Sequence, residues 1–247
     1  MKHALAVCVL MSVTFGSGMS AASAKERIHL DLETYQTAIS HAAGHPNERS
    51  RWHGLWAYSN GRHAEAREYF ERAAYFGDKP SQYLLSVMHQ SGEGGPSDPV
   101  LAYIWADLAA ERGTSEPLLA YREQLWAKLS PEEQKRVTEA GPAVYERYGD
   151  AVAMRRTEHQ IARFSRSKTG SRAGGDSGIM SVSFGGGQPP PRLDCPQRGN
   201  KPDSAMSQND FYARARTNFA DYWKQQDVAL RAVLVGNVKV GKVQRAR

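Results

Sequence analysis

The chain has 247 residues, of which 40% are hydrophobic and 23% charged, with a formal net charge of +6 and a mean hydropathy of −0.59. That supports one medium-sized domain plus less apolar segments, and leaves no later run near the roughly 20 apolar residues of a membrane-spanning helix. With Cys8 and Cys195 as its two cysteines, the chain is no disulfide-built scaffold, and its modest positive balance favours acidic surfaces without indicating nucleic acid.

At the N-terminus, Lys2 and His3 precede an apolar run over residues 4–15, followed by small residues and Ala22-Ser23-Ala24. This reads as a secretory signal peptide (residues 1–24) cleaved near Ala24, which places the remainder in the periplasm or outside the cell. Cleavage removes Cys8 and leaves Cys195 alone, so no internal disulfide stabilises the product; an intermolecular one stays open.

Residues 25–150 read as a helical domain. Over 31–43, Leu32, Tyr35, Ile39 and Ala42 share one stripe. A helix over 48–59 follows. Between 64 and 76, Ala66, Tyr69, Phe70, Ala73 and Ala74 fall at helical spacing opposite charged residues, and Gly77 can end the helix with φ > 0. Further helices are expected over 81–90 and 98–112, the latter with Asp98 as N-cap and Pro99 in its first turn. Another covers 116–129 with Leu118, Leu119, Leu125, Trp126 and Leu129. Ser130-Pro131-Glu132-Glu133 opens the next with a capping box, to about Tyr148, with continuation to Phe164 as the alternative end.

Two of these units repeat. Ala66, Tyr69, Ala73-Ala74 and Gly77 recur 36 residues later as Ala102, Trp105, Ala109-Ala110 and Gly113. The stretch from Ser81 through Leu85, Gly92, Gly94 and Asp98 resembles the first helix and Gly-x-Gly-x-x-x-Asp loop of the Sel-one-like repeats, relatives of tetratricopeptide repeats. Ser81, Ser86 and His89 depart from that pattern. The first copy is more degenerate, with the short loop of a tetratricopeptide repeat at Asn60-Gly61.

The resemblance covers repeats at about 48–79 and 81–116. It implies an all-α fold, a short α/α solenoid with capping helices, acting as a non-catalytic protein–protein interaction scaffold or adaptor without a cofactor. It also implies a concave surface lined by the first helix of each unit. The candidate partner contacts there are Trp52 and Trp56 in the first unit and Gln82 and Val87 in the second. Gly61, Ala66, Tyr69, Ala73, Ala74, Gly77, Leu85, Gly92, Gly94, Asp98, Ala102, Trp105, Ala109, Ala110 and Gly113 are expected to build the repeats.

Residues 151–208 read as a linker. Arg155, Arg156, Arg163, Arg166, Lys168 and Arg172 make its basic start, and Gly-, Ser- and Pro-rich sequence follows. In 209–247, Phe211, Tyr212, Phe219, Tyr222 and Trp223 suit a helix, and 233–243 alternates as a strand or hairpin would. This tail has two candidate docking places, the repeats or a partner.

Strings that mimic catalytic motifs lack their context. Gly175-Asp176-Ser177-Gly178 copies the surroundings of a serine-protease nucleophile, but everything upstream is helical. Ser165-Arg166-Ser167-Lys168 and Lys168-Thr169-Gly170 would need one lysine in two roles. His41 and His45 have an i, i+4 spacing that suits metal ligands, but Pro46 ends the helix there and no third ligand is spaced to join them. The expectation is no catalytic or metal site and a protein or peptide partner in the bacterial envelope. The alternative is an envelope or cell-wall enzyme whose chemistry lies in the C-terminal segment.

Overall fold

The computed structural model describes residues 30–166 and 208–235. The expected signal peptide, Cys195 and the protease-like string lie outside these residues, as does all but the first residue pair of the segment beginning at Ser165. The described residues are helical and loop, with no strand among them.

The helices are α1 (Leu32–His41), α2 (Pro46–Ser59), α3 (His63–Ala74), α4 (Lys79–Ser91), α5 (Pro99–Ala110), α6 (Glu116–Trp126), α7 (Pro131–Tyr148) and α8 (Asp150–Arg166), then α9 (Gln208–Phe211), α10 (Arg214–Thr217) and α11 (Phe219–Val235). Five of them, α2 and α4–α7, carry a proline in the first turn, where a missing N–H leaves no hydrogen bond unmade. Side chains cap the entries. Asp31, Asp78 and Asp98 accept from first-turn amides, and Ser130 with Glu133 forms the expected capping box.

Helices α2 and α3 pair, as do α4 and α5, and α5 sits at the centre with α6 and α7 against its remaining sides. Composition explains that position: Val100, Ala102, Ile104, Trp105, Ala106, Leu108, Ala109 and Ala110 are buried, so α5 is apolar over most of its circumference, with Asp107 its one charged side chain. Trp105 packs on Tyr148 of α7 and Tyr103 on Trp126 of α6, each pair 4.8 Å between ring centres. The other end of the stack is closed by α1, whose Tyr35 ring lies flat on Trp56 at 4.7 Å.

Two parts differ from the sequence reading. Residues 151–166 are not linker: α8 follows α7 after a break at Gly149 and buries Ala153, Thr157, Ile161 and Phe164, a stripe at helical spacing, while its arginines lie on the other faces. Val233–Val235 belong to α11 rather than to a strand; residues 236–243 lie outside the described part.

Helices α8 and α11 run in opposite directions over the turns that join one unit to the next. Helix α8 starts beside Arg112 and Lys79 through Asp150, donates from Thr157 Oγ1 to the Phe76 carbonyl at 2.8 Å, and ends with Phe164 against Gly44 and His45. Helix α11 begins at Asn47 and Glu48 through Tyr222, passes Gly77 with Trp223, pairs Asp227 with Arg112, and buries Leu230 against Ala109, Ala110 and Leu118. The two form a strap over three successive turns.

No helix among the described residues is long and apolar enough to cross a membrane.

Candidate partner-binding surface

Ala66, Ala73, Ala74, Leu85, Ala102, Ala109 and Ala110 are buried, and their small or compact side chains let paired helices approach closely. Trp105 is buried and Tyr69 half-buried against the His53 ring. Gly61, Gly77, Gly92, Gly94 and Gly113 all have positive φ. At Gly94 a Cβ would stand 2.5 Å from the His63 carbonyl oxygen, so the long loop of the second unit can lie on the start of α3 only because this position is glycine. The loop is pinned from the first unit: Tyr58 donates to Glu93 at 2.7 Å, and Arg67 to the Met88 carbonyl at 2.7 Å. Thus the glycine-containing loop joins the two units as well as ending α4.

The proposed partner contacts separate. Trp52 is 8% exposed and packs in the main core, and Gln82 is fully buried with its amide donating to the Tyr148 carbonyl at 3.1 Å. Neither can contact a partner in this conformation. The end of α7 claims the exposed side of Gln82, and Trp52 lies in the core cluster that residues of α1 also enter. Trp56 is half-buried beneath Tyr35, whose hydroxyl bonds His53 Nδ1 at 2.8 Å. Only Val87 lies on an open face, half-buried on α4.

That face lies between α4 and α6. Tyr83 and Tyr121 meet edge to face at 5.2 Å, the Tyr121 hydroxyl donates to Gln90 Oε1 at 3.2 Å, and Ser86 Oγ donates to the Ala102 carbonyl beneath them at 2.5 Å. Burial raises both phenols, Tyr121 to about 12, so each remains a neutral donor. Half-buried aromatic rings beside an exposed amide offer an apolar body with hydrogen-bonding edges, the combination that anchors peptides. A recess of about 450 Å³ lies between the start of α5 and α7, lined by Asp98, Val100, Leu101, Arg136, Glu139 and Ala140.

Beneath the strap runs a chain of ionic contacts that sequence reading missed. Arg51 pairs with the buried Asp78 at 2.6 Å. Lys79, 1% exposed at its side chain, reaches Glu111 at 3.1 Å, Asp150 at 3.0 Å and the Leu108 carbonyl at 2.6 Å. Arg112 bridges Asp150 and Asp227 and lies 3.9 Å from the Trp223 ring centre. Burial pulls the Lys79 ammonium below its usual range, opposed by Asp150 and Glu111, whose carboxylates supply the compensating charge. These contacts join turns to the strap across long sequence separations and carry no local motif. Repeated turn glycines are the one sequence signal: a Cβ at Gly44 would collide with Phe164 at 2.1 Å, and one at Gly77 with Trp223 at 2.9 Å.

His41 and His45 do not form a ligand pair. His45 is 1% exposed, its ring stacked on Tyr222 at 4.6 Å and edge-on to Phe164 at 5.1 Å. Among the described residues no group of three or more histidine, cysteine or acidic side chains is placed to hold a metal ion.

Paired helices stacked on a shared core, with one open face across neighbouring units, define a protein of the α/α repeat class. The family comparison narrows this: the Sel1 repeat model matches residues 52–78 and 79–114, so that stretch is similar to two Sel1 repeats. No curated protein and no solved structure matches the chain.

Proposed function

We propose that this protein is a non-catalytic interaction scaffold of the bacterial cell envelope, holding a protein or peptide partner on the α4–α6 face around Tyr83, Val87, Gln90 and Tyr121. The observation that carries this reading is the pair of Sel1 repeats, modules of protein–protein interaction, folded into one stack whose second unit keeps an open, partly aromatic face. The N-terminal pattern of Lys2, the apolar run and Ala22-Ser23-Ala24 supports delivery to the envelope.

The test uses the chain without residues 1–24, immobilised and exposed to envelope extract, beside a Val87→Arg, Gln90→Ala double variant with unchanged helical circular dichroism. Val87 and Gln90 lie one helical turn apart on the open face, so the variant alters the surface and spares the core. Retention of a specific protein by the parent and its loss by the variant is the expected result. Equal retention by both moves the binding surface off α4–α6, and absence of any retained protein counts against the scaffold.

A further inference from the structure

His45 lies where three parts of the molecule meet: the α1–α2 turn that bears it, Phe164 at the end of α8, and Tyr222 near the start of α11. It occupies the N-cap position of α2 but makes no capping hydrogen bond, so its side chain is not needed to start that helix. Its Nε2 is buried without a hydrogen-bond partner among the described residues. One ring face is therefore committed to Tyr222 and an edge-type contact to Phe164, with nothing among the described residues placed to accept from Nε2.

Charged groups reach this clasp from several elements. Arg216 of α10 is held by the His41 and Ala43 carbonyls at the end of α1, and lies 6.0 Å from the Phe164 ring centre. It is a fixed cation in the same cluster. Glu48 of α2 is the available anion, but its carboxylate already accepts from the Tyr222 hydroxyl at 3.0 Å and from Gln226 Nε2 at 2.9 Å. Arg51, also on α2, is turned away to Asp78. From α8 comes the uncharged Phe164, and from α11 the neutral Tyr222.

We propose that His45 is an acid-sensitive latch: protonation of its ring releases α11 and the end of α8 from the inter-unit turns while the repeat stack stays folded. The argument is one of linkage. Docked, the imidazolium would need a buried second acceptor and would add positive charge beside Arg216; undocked, water solvates it. Protons therefore bind the undocked state more tightly, and acid shifts the population toward it. Burial, reinforced by Arg216 and opposed by Glu48, pulls this histidine down to about 4, which agrees with the geometry. Release would uncover the surface under Leu230 next to Tyr83. The latch concerns only the chain's own helices and stands whether or not α4–α6 binds a partner.

Hydrogen exchange of the full chain, followed by mass spectrometry and corrected for the intrinsic pH dependence, tests it between about pH 7.5 and about pH 4.5. Protection of α11 and the last turns of α8 is expected to fall about tenfold or more over that range while α3–α5 keep theirs. His45→Phe, which keeps the aromatic stack, is expected to hold the strap throughout. Glu48→Gln, which removes the anion favouring the imidazolium, is expected to release it at higher pH than the parent. The proposal is overturned if α11 protection does not change, if it falls together with α3–α5, or if it falls alike in His45→Phe. Should His45→Phe leave α3–α5 unprotected at neutral pH, Glu48→Gln decides, and an unmoved midpoint there overturns the latch.

Discussion

Glycines with the same backbone angle do different work in this chain, and the difference is measurable. Gly94 and Gly113 have φ of 78° and 63°, so either alanine variant carries the cost of a left-handed residue, about 1 kcal/mol. At Gly113 nothing lies within 4 Å of the added carbon, whereas at Gly94 the carbon meets the carbonyl of His63, main chain that cannot rotate aside. Gly94→Ala should therefore lower the unfolding free energy by about 3 kcal/mol and Gly113→Ala by about 1 kcal/mol. Urea titrations of the two variants check this, and equal losses would mean that the loop does not press on α3. Chemistry of this kind is partly legible in the sequence. A glycine near a helix end announces positive φ, but the neighbour it admits comes from elsewhere in the chain. Trp52 and Gln82 show the same limit: residue type and helix assignment suggest a surface role, and only the packed core around Trp52 and the end of α7 at Gln82 show that both are covered.

Several helices of α2–α7 are bounded by local signals, which is why these helices can be read from the sequence to within a few residues. Proline in the first turn, an Asx or Ser cap before it and glycine after the last turn act over three or four residues and need no tertiary partner. Two of these caps nevertheless differ in energy because of what else they touch. Asp98 accepts from the Val100 and Leu101 amides at 3.0 Å, and Asp98→Ala should cost about 1 kcal/mol. Asp78 accepts from Ser81 N and Ser81 Oγ, and also neutralises the Arg51 guanidinium against a side chain with no exposed area. Asp78→Ala removes the cap and strands a largely buried cation, so about 4 kcal/mol is expected, with Asp78→Asn intermediate. Chemical denaturation of the three variants measures the ranking, and similar losses for Asp78→Ala and Asp98→Ala would show that Arg51 finds water when its partner leaves. Helix α8 was legible too, in the spacing of Ala153, Thr157, Ile161 and Phe164, but its arginines dominate the composition and give it the look of a linker. Docking of α11 left no comparable trace. Its hydrogen bonds to the repeat stack span separations of 115 to 178 residues, and pairs so distant impose no period on either segment.

The folded molecule is a repeat stack with its turns bound by two helices of the same chain, and acid acts on both parts. Burial lowers His45, His53 and His89 from 6.5 to about 4. Between these values the unfolded chain binds protons that the native chain refuses, so stability is complete above about pH 6.5 and falls as pH drops toward 4. For His45, deeply buried, the loss is bounded by about 3 kcal/mol, and the half-buried His53 contributes less because solvent moderates its charge. One term opposes this at His45: an imidazolium stacked on Tyr222 gains a cation–π attraction of about 1–2 kcal/mol. Desolvating an ion without a dedicated partner costs several kcal/mol, so the penalty prevails. Urea denaturation followed by helical circular dichroism should thus give a lower unfolding free energy at about pH 4.5 than at about pH 7, and His45→Phe should recover part of the difference. The recovery will be incomplete, because His53 packs against Tyr35 and Tyr69 and His89 lies at the end of α4, both inside the stack and untouched by that substitution. If His45→Phe abolished the whole pH dependence, the two repeat histidines would have to be open to water; if it changed nothing, the ring between Phe164 and Tyr222 would have to titrate as it does in the unfolded chain.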